Sequence, residues 1–125
     1  AGVLAMDPVA LVMDEPTAGL DHPGLVSLHD ILAMLHAAGK TLVVATHDID
    51  WAWAWADLVY VLAAGKTVAS GPPAEILTRS DHAALGFARP VLADLAAALA
   101  ARGLLPPGAA PRTCAELLAQ LQTKK

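Results

Sequence analysis

Two adjacent carboxylates stand where a short apolar segment ends. Residues 9–13 (Val-Ala-Leu-Val-Met) are followed directly by Asp14 and Glu15. An apolar run of this length is typical of a buried strand in a parallel sheet. Two negative charges at the end of such a strand are costly unless a cation uses them. The pair therefore predicts a cation-dependent site, although an isolated Asp-Glu pair is more often a solvated loop start.

A histidine follows a second apolar segment. Residues 41–45 (Thr-Leu-Val-Val-Ala) lead through Thr46 into His47. Between the two segments, leucines recur at helical spacing, at Leu25, Leu28, Leu32 and Leu35. Strand, helix and strand with short connections predict a βαβ unit, and hence an α/β fold with a parallel sheet. Ligands of open α/β folds bind at the C-terminal edge of the sheet, so we expect the carboxylates and His47 there.

The second half of the chain predicts a different organisation. We expect a helix over residues 48–56, a two-stranded hairpin over 58–70, a short helix over 74–77 and two alanine- and leucine-rich helices over 90–101 and 115–121. A boundary near residue 80 then separates a domain of residues 1–80 from a helical C-terminal extension of residues 81–125.

Composition excludes several classes of protein. The net charge of the 125 residues is −4 and the Lys and Arg residues are scattered, so no nucleic-acid partner is expected. The single cysteine, Cys114, excludes an internal disulfide framework and fits a reducing compartment. No uncharged run approaches the about 18 apolar residues that a membrane span requires. Residues 1–6 read as the last turns of a helix without an N-cap, which predicts that a preceding segment has been removed.

Two segments resemble the ABC ATPase family. Residues 11–21 (Leu-Val-Met-Asp-Glu-Pro-Thr-Ala-Gly-Leu-Asp) are similar to its Walker B and D-loop sequence, and residues 46–48 (Thr-His-Asp) to its H-switch. The resemblance implies a P-loop NTPase fold and hydrolysis of ATP with Mg²⁺. It assigns four roles: Asp14 would coordinate Mg²⁺, Glu15 would be the catalytic carboxylate, His47 would contact the γ-phosphate, and Asp21 would lie at the nucleotide-binding interface between subunits.

The segment that holds the phosphates of ATP has no counterpart here. A phosphate-binding loop requires Gly-x₄-Gly-Lys-Ser/Thr before a helix. Residues 39–41 and 65–67 both read Gly-Lys-Thr, but each lacks the earlier glycine and precedes a predicted strand. The family's Leu-Ser-Gly-Gly-Gln signature is also absent. We therefore expect the C-terminal part of an ATPase domain, without ATPase activity of its own.

The tail of the chain indicates a subfamily. Residues 71–78 (Gly-Pro-Pro-Ala-Glu-Ile-Leu-Thr), together with 89–91 and 111–113, look like the ATPase subunits of cobalt, nickel and vitamin energy-coupling-factor importers. That resemblance implies a second ATPase subunit, identical or different, and integral-membrane partners. It places the protein on the cytoplasmic face of a bacterial or archaeal membrane.

Two other functions are compatible with the same motifs. A non-transport ABC ATPase of the DNA-repair or chromosome-maintenance type shares Asp-Glu-Pro-Thr and the histidine, but normally carries basic patches or coiled coils. A non-catalytic interaction module would pair with a partner that supplies the missing half.

Three tryptophans alternate with alanine in the helix predicted after His47. Trp51 and Trp55 would share one face of that helix and Trp53 would point away. The simplest expectation is a core pair and one surface residue. An aromatic contact for a membrane subunit or a neighbouring domain is the alternative.

Overall fold

The chain forms two compact units, one ending at His47 and one beginning at Asp48. The computed structural model describes residues 7–122, so the helix end expected at residues 1–6 lies outside the described part. The division of the fold differs from the boundary predicted near residue 80, because Ala93 packs with Trp53 and the Pro111 carbonyl oxygen accepts a hydrogen bond from the Trp53 indole. The assignment of residues 1–80 to an ATPase domain and 81–125 to an extension stays a prediction about relatedness.

The first unit is a βαβ motif. Strand β1 spans Ala10–Asp14, helix α1 spans His22–Ala37 and strand β2 spans Thr41–Ala45. The strands pair in parallel, with Ala10 opposite Thr41 and Asp14 opposite Ala45. The predicted α/β architecture with parallel strand pairing is confirmed.

Only one face of the β1–β2 pair is covered. Leu11 and Met13 are half-buried, whereas the side chain between them, Val12, is 76% exposed. The same alternation occurs in β2, where Val43 is 51% exposed. The expectation that both faces of these strands are buried is therefore wrong for this chain, whose alternation is that of a sheet covered on one side.

The second unit combines a hairpin with short helices. Its elements are α2 (Ile49–Trp55), β3 (Val59–Ala63), β4 (Lys66–Gly71), α3 (Pro73–Ile76), α4 (Val91–Ala101) and α5 (Cys114–Gln122). Strands β3 and β4 pair antiparallel. They are joined by Ala64 and Gly65, both at positive φ (49° and 74°), as a type I′ turn requires. The predicted hairpin is confirmed, and no helix within residues 7–122 is long and apolar enough to cross a membrane.

The tryptophans of α2 do not divide as predicted. Trp53 is only 2% exposed and packs in one cluster with Leu77 and Ala93. Trp51 is buried too, and its ring centroid lies 5.1 Å from that of Trp55. The shared face of Trp51 and Trp55 is confirmed, but the surface position expected for Trp53 is wrong, because elements of the second unit cover that side of α2.

The segment before α5 holds the end of α2. The indole Nε1 of Trp53 donates a hydrogen bond to the Pro111 carbonyl oxygen at 3.0 Å. In return, Arg112 Nε donates to the Trp53 carbonyl oxygen at 2.8 Å, and Arg112 Nη2 donates to that of Ala56. A cation at a helix C-terminus satisfies carbonyl groups that lack partners within the helix. These bonds tie part of the predicted extension to residues 48–56.

Candidate active site

The two sequence segments singled out for chemistry meet at one edge of the parallel strand pair. Strand β1 ends at Asp14 and strand β2 ends opposite it, at Ala45. The backbone N–H of Glu15 donates to the Ala45 carbonyl oxygen at 2.8 Å, which extends the pairing by one residue. Glu15 therefore lies beside Thr46 and His47, the two residues that follow β2. The structure brings Glu15 and His47 together as the sequence predicted.

The carboxylate of Glu15 is held at both oxygens. Its Oε1 accepts hydrogen bonds from the His47 backbone N–H at 3.0 Å and from the His47 ring Nδ1 at 2.6 Å. Its Oε2 accepts from the Thr46 hydroxyl at 3.1 Å. Glu15 has φ of 45°, in the left-handed region that few non-glycine residues adopt. This backbone turn and the three donors fix the direction of the Glu15 side chain.

Electrostatics favour the ionised form of Glu15. The hydrogen bond from the His47 side chain lowers the pKa of Glu15 below its ordinary value of 4.5, burial opposes this, and the Thr46 hydroxyl lowers it further. An ionised carboxylate can only accept hydrogen bonds, so the His47 ring carries a hydrogen on Nδ1. The side chain of Glu15 is 34% exposed and that of His47 is 88% exposed, so a ligand can reach both.

Replacing His47 with alanine is expected to raise the pKa of Glu15 towards its ordinary value. In the unsubstituted protein, folding lowers the pKa of Glu15, so the ionised carboxylate stabilises the fold above about pH 4.5. This stabilisation is lost as the pH falls through the pKa that Glu15 has in the folded state. The titration of the ¹³C-labelled Glu15 carboxyl, followed by NMR, measures the change. Asp81 is the internal control, because its pKa is lowered mainly by Arg79 and should not respond. An unaltered Glu15 titration in the His47→Ala protein would contradict the assignment.

Asp14 is suited to a metal ion that is shared with a ligand. Its side chain is exposed at the end of β1, next to Glu15. Within residues 7–122, no group of three or more His, Cys, Asp or Glu side chains lies close enough together to hold a metal ion alone. Mg²⁺ typically keeps several waters and binds through one or two carboxylates plus substrate phosphates. The donor set is therefore compatible with Mg²⁺ bound together with phosphate groups, and Asp14 as a ligand to that ion stays a prediction.

Asp21 has a local role at the start of α1. Its Oδ1 accepts a hydrogen bond from the Gly24 backbone N–H at 2.9 Å, and Pro23 occupies the first turn. Asp21 is thus the N-cap of the helix. Its predicted position at an interface between subunits stays a prediction.

Neither Gly-Lys-Thr segment forms a phosphate-binding loop. Gly39 has φ of 78° in the turn from α1 to β2, and Lys40 pairs with Asp7 at 2.7 Å. Gly65 belongs to the hairpin turn, and β4 begins at Lys66. In both cases a strand follows the lysine rather than a helix N-terminus. The reading of both glycines as turn residues is confirmed.

Thr46 is the site residue to which the sequence assigned no role. In the sequence it is only the residue that precedes the motif histidine His47. Its half-buried side chain donates to Glu15 across 31 positions of sequence. A hydroxyl residue between a strand and a motif histidine is the signal that could have indicated this role, but only the register of β1 against β2 shows which carboxylate it reaches.

Curated proteins from archaea and bacteria match nearly the whole chain. It is 40% identical over 121 residues to an energy-coupling factor transporter ATP-binding protein of Methanospirillum hungatei, covering 94% of this chain and 30% of that protein. It is 45% identical over 125 residues to the cobalt import ATP-binding protein of Rhodobacter capsulatus, covering 97% and 44%. A third such protein, from Carboxydothermus hydrogenoformans, is 46% identical over 95 residues. The chain thus spans less than half the length of these relatives.

A solved structure agrees with these relatives. The chain superimposes on cbiO1 from Clostridium perfringens, described as part of the ABC transporter complex cbiONQ, with a TM-score of 0.55 and 39% identity over 65% of this chain and 33% of that one. No protein-family model matches the chain. The relatives do not support the DNA-repair alternative. The chain belongs to the family of ABC-transporter ATP-binding subunits and is related to those of the energy-coupling-factor and cobalt importers.

Proposed function

We propose that this chain is the water-activating part of an ATPase subunit that drives an ABC-type importer. The observation that carries the proposal is the Glu15 carboxylate, held by His47 and Thr46 next to Asp14. The names of the relatives support import as the purpose, since they refer to cobalt import and to energy-coupling factor transport. The cargo would be a metal ion or a vitamin.

Glu15, His47 and Asp14 would have different roles in the transfer of the γ-phosphoryl group to water. Glu15 would orient the attacking water in line with the γ-phosphate and accept its proton, a role for which it must be ionised. His47 would contact a γ-phosphate oxygen through Nε2, which requires a hydrogen on that nitrogen as well as on Nδ1. When bound, Mg²⁺ would offset the negative charge of the phosphates, and Asp14 would hold it directly or through water.

The assembly follows from the same resemblance. The complete subunit would pair with a second ATPase subunit, identical or different, in an arrangement that places Asp21 near the interface. Integral-membrane subunits would bind the pair at the cytoplasmic face of a bacterial or archaeal membrane. The relative of known structure supports this, because it is described as part of a transporter complex.

The 125-residue chain alone is expected not to hydrolyse ATP. Neither of its Gly-Lys-Thr segments is shaped to hold phosphates, so neither can anchor the nucleotide. A hybrid protein tests the proposal: the chain replaces the matched region of the Rhodobacter capsulatus protein, to which it is 45% identical. We expect Mg²⁺-dependent phosphate release by the hybrid and none by the chain.

Two variants of the hybrid protein test whether its Mg²⁺ dependence arises from Asp14. In the hybrid, Asp14→Asn should raise the Mg²⁺ concentration needed for half-maximal activity by roughly tenfold or more, since a charged ligand to the ion is lost. Asp30→Asn, on the exposed side of α1, is the control and should change nothing. Robust turnover by the chain alone that depends on Glu15 would contradict the proposal, as would a folded hybrid that binds but never hydrolyses ATP.

A further inference from the structure

The lone pairs of Glu15 are unequally occupied. Each oxygen of an ionised carboxylate offers about two acceptor directions. At Oε1 the His47 backbone N–H and ring Nδ1 take both. At Oε2 the Thr46 hydroxyl takes one. Among the described residues, a single acceptor direction on Oε2 is then left for a proton from another molecule.

Thr46 is placed to control the orientation of that carboxylate. The terminal torsion of a glutamate side chain is broad, so bonds to one oxygen alone leave the other free to swing. The Thr46 bond at 3.1 Å adds a second point of attachment, on the oxygen that His47 does not contact. A β-branched side chain has few χ1 rotamers, and Thr46 is half-buried where β2 ends, so the hydroxyl itself is held in place.

We infer that Thr46 is a positioning residue for hydrolysis, which selects the lone pair of Glu15 Oε2 that receives the proton of the attacking water. This inference rests on the proposed function of Glu15. Thr46 does not touch the reacting atoms. It acts by keeping one acceptor direction of Glu15 aimed at the water, and misplacement of a reacting group by about 1 Å can slow a reaction by as much as roughly 10²-fold.

Two substitutions in the hybrid protein separate the hydroxyl from the shape of the side chain. Thr46→Val keeps the shape and removes the donor, and is expected to lower kcat roughly tenfold while the KM for ATP stays within about twofold. Thr46→Ser keeps the donor and should recover most of the lost kcat. Thr41→Val, at the exposed start of β2, the strand that precedes Thr46, is the matched control and should be neutral.

A second measurement requires no nucleotide. The His47 amide hydrogen bonds to Oε1, so its exchange with solvent reports whether the Glu15 carboxylate is held. In Thr46→Val the exchange should become several-fold faster, and in Thr46→Ser it should match the parent. This readout stays valid if the unsubstituted hybrid does not hydrolyse ATP, an outcome that would count against the proposed function and not against the role of Thr46 in holding Glu15.

Three results would overturn the inference. One is a Thr46→Val protein whose kcat and His47 amide exchange both match the parent. Another is a serine variant no better than the valine variant, which would show that shape and not the hydroxyl matters. The third is a loss confined to KM, because it would place Thr46 in nucleotide binding and not in the orientation of Glu15.

Discussion

Substitution of Glu15 by glutamine in the hybrid protein is expected to lower kcat for ATP hydrolysis by about 10²–10⁴-fold, the usual contribution of a positioned general base. Glutamine has nearly the same shape, and its carbonyl oxygen can still accept from the backbone N–H and ring of His47. The amide cannot accept a proton from water at neutral pH. Mg-ATP affinity should therefore change little, because the phosphate and metal contacts are assigned to other residues.

The kcat is measured from phosphate release, and the nucleotide affinity is measured from equilibrium binding of a fluorescent ATP analogue. Glu75→Gln is the matched control: it makes the same chemical change at an exposed position of α3 and should leave kcat within about twofold. A Glu15→Gln protein that keeps more than a tenth of the parent kcat would show that another group is the base. A parallel collapse of nucleotide affinity would instead assign Glu15 to binding.

The proximity of Glu15 and His47 was predictable from the sequence because it depends on one βαβ motif. Asp14 ends one apolar strand segment, Glu15 follows it, and His47 is the second residue after the other segment. Parallel strands place their C-terminal ends side by side. The direction of the Glu15 side chain was not predictable in this way. It depends on the positive φ of Glu15 and on which residue of β2 lies opposite Asp14, and periodicity determines neither.

Errors in the predicted fold arose where burial depends on distant parts of the chain. Apolar residues at 12 and 43 suggested strands covered on both faces, yet in this chain Val12 and Val43 are exposed. Spacing on a helix shows that Trp51 and Trp55 share a face, but not that Trp53 is also covered. Trp53 is covered partly by Ala93 and Pro111, which lie about 40 and 60 residues later in the chain. Sequence periodicity cannot detect contacts between residues so far apart.

The same long-range contacts make Trp53 the residue whose truncation should destabilise the second unit most. Trp53→Ala would leave a cavity in the cluster of Trp53, Leu77 and Ala93. It would also leave the Pro111 carbonyl oxygen without its indole donor. Removal of a large buried aromatic side chain typically costs about 3–5 kcal/mol of the free energy of unfolding. We expect a loss of this size, measured from the exchange rates of the slowest amides of α2 and α4 in the hybrid protein.

Two further variants show why Trp53→Ala lowers the free energy of unfolding. They separate the removal of a buried side chain from the removal of any aromatic ring. Tyr60→Ala removes an aromatic side chain of the same unit that is 62% exposed, and should cost less than about 1 kcal/mol. Trp53→Phe keeps most of the buried area but lacks the indole N–H, so its loss should lie between the other two, near the roughly 1–3 kcal/mol of an unsatisfied buried acceptor.

Equal losses in Trp53→Ala and Tyr60→Ala would mean that the C-terminal segment does not depend on Trp53. A loss confined to α2, with α4 unchanged, would contradict the packing of both helices into one unit, since a shared core requires that they open together.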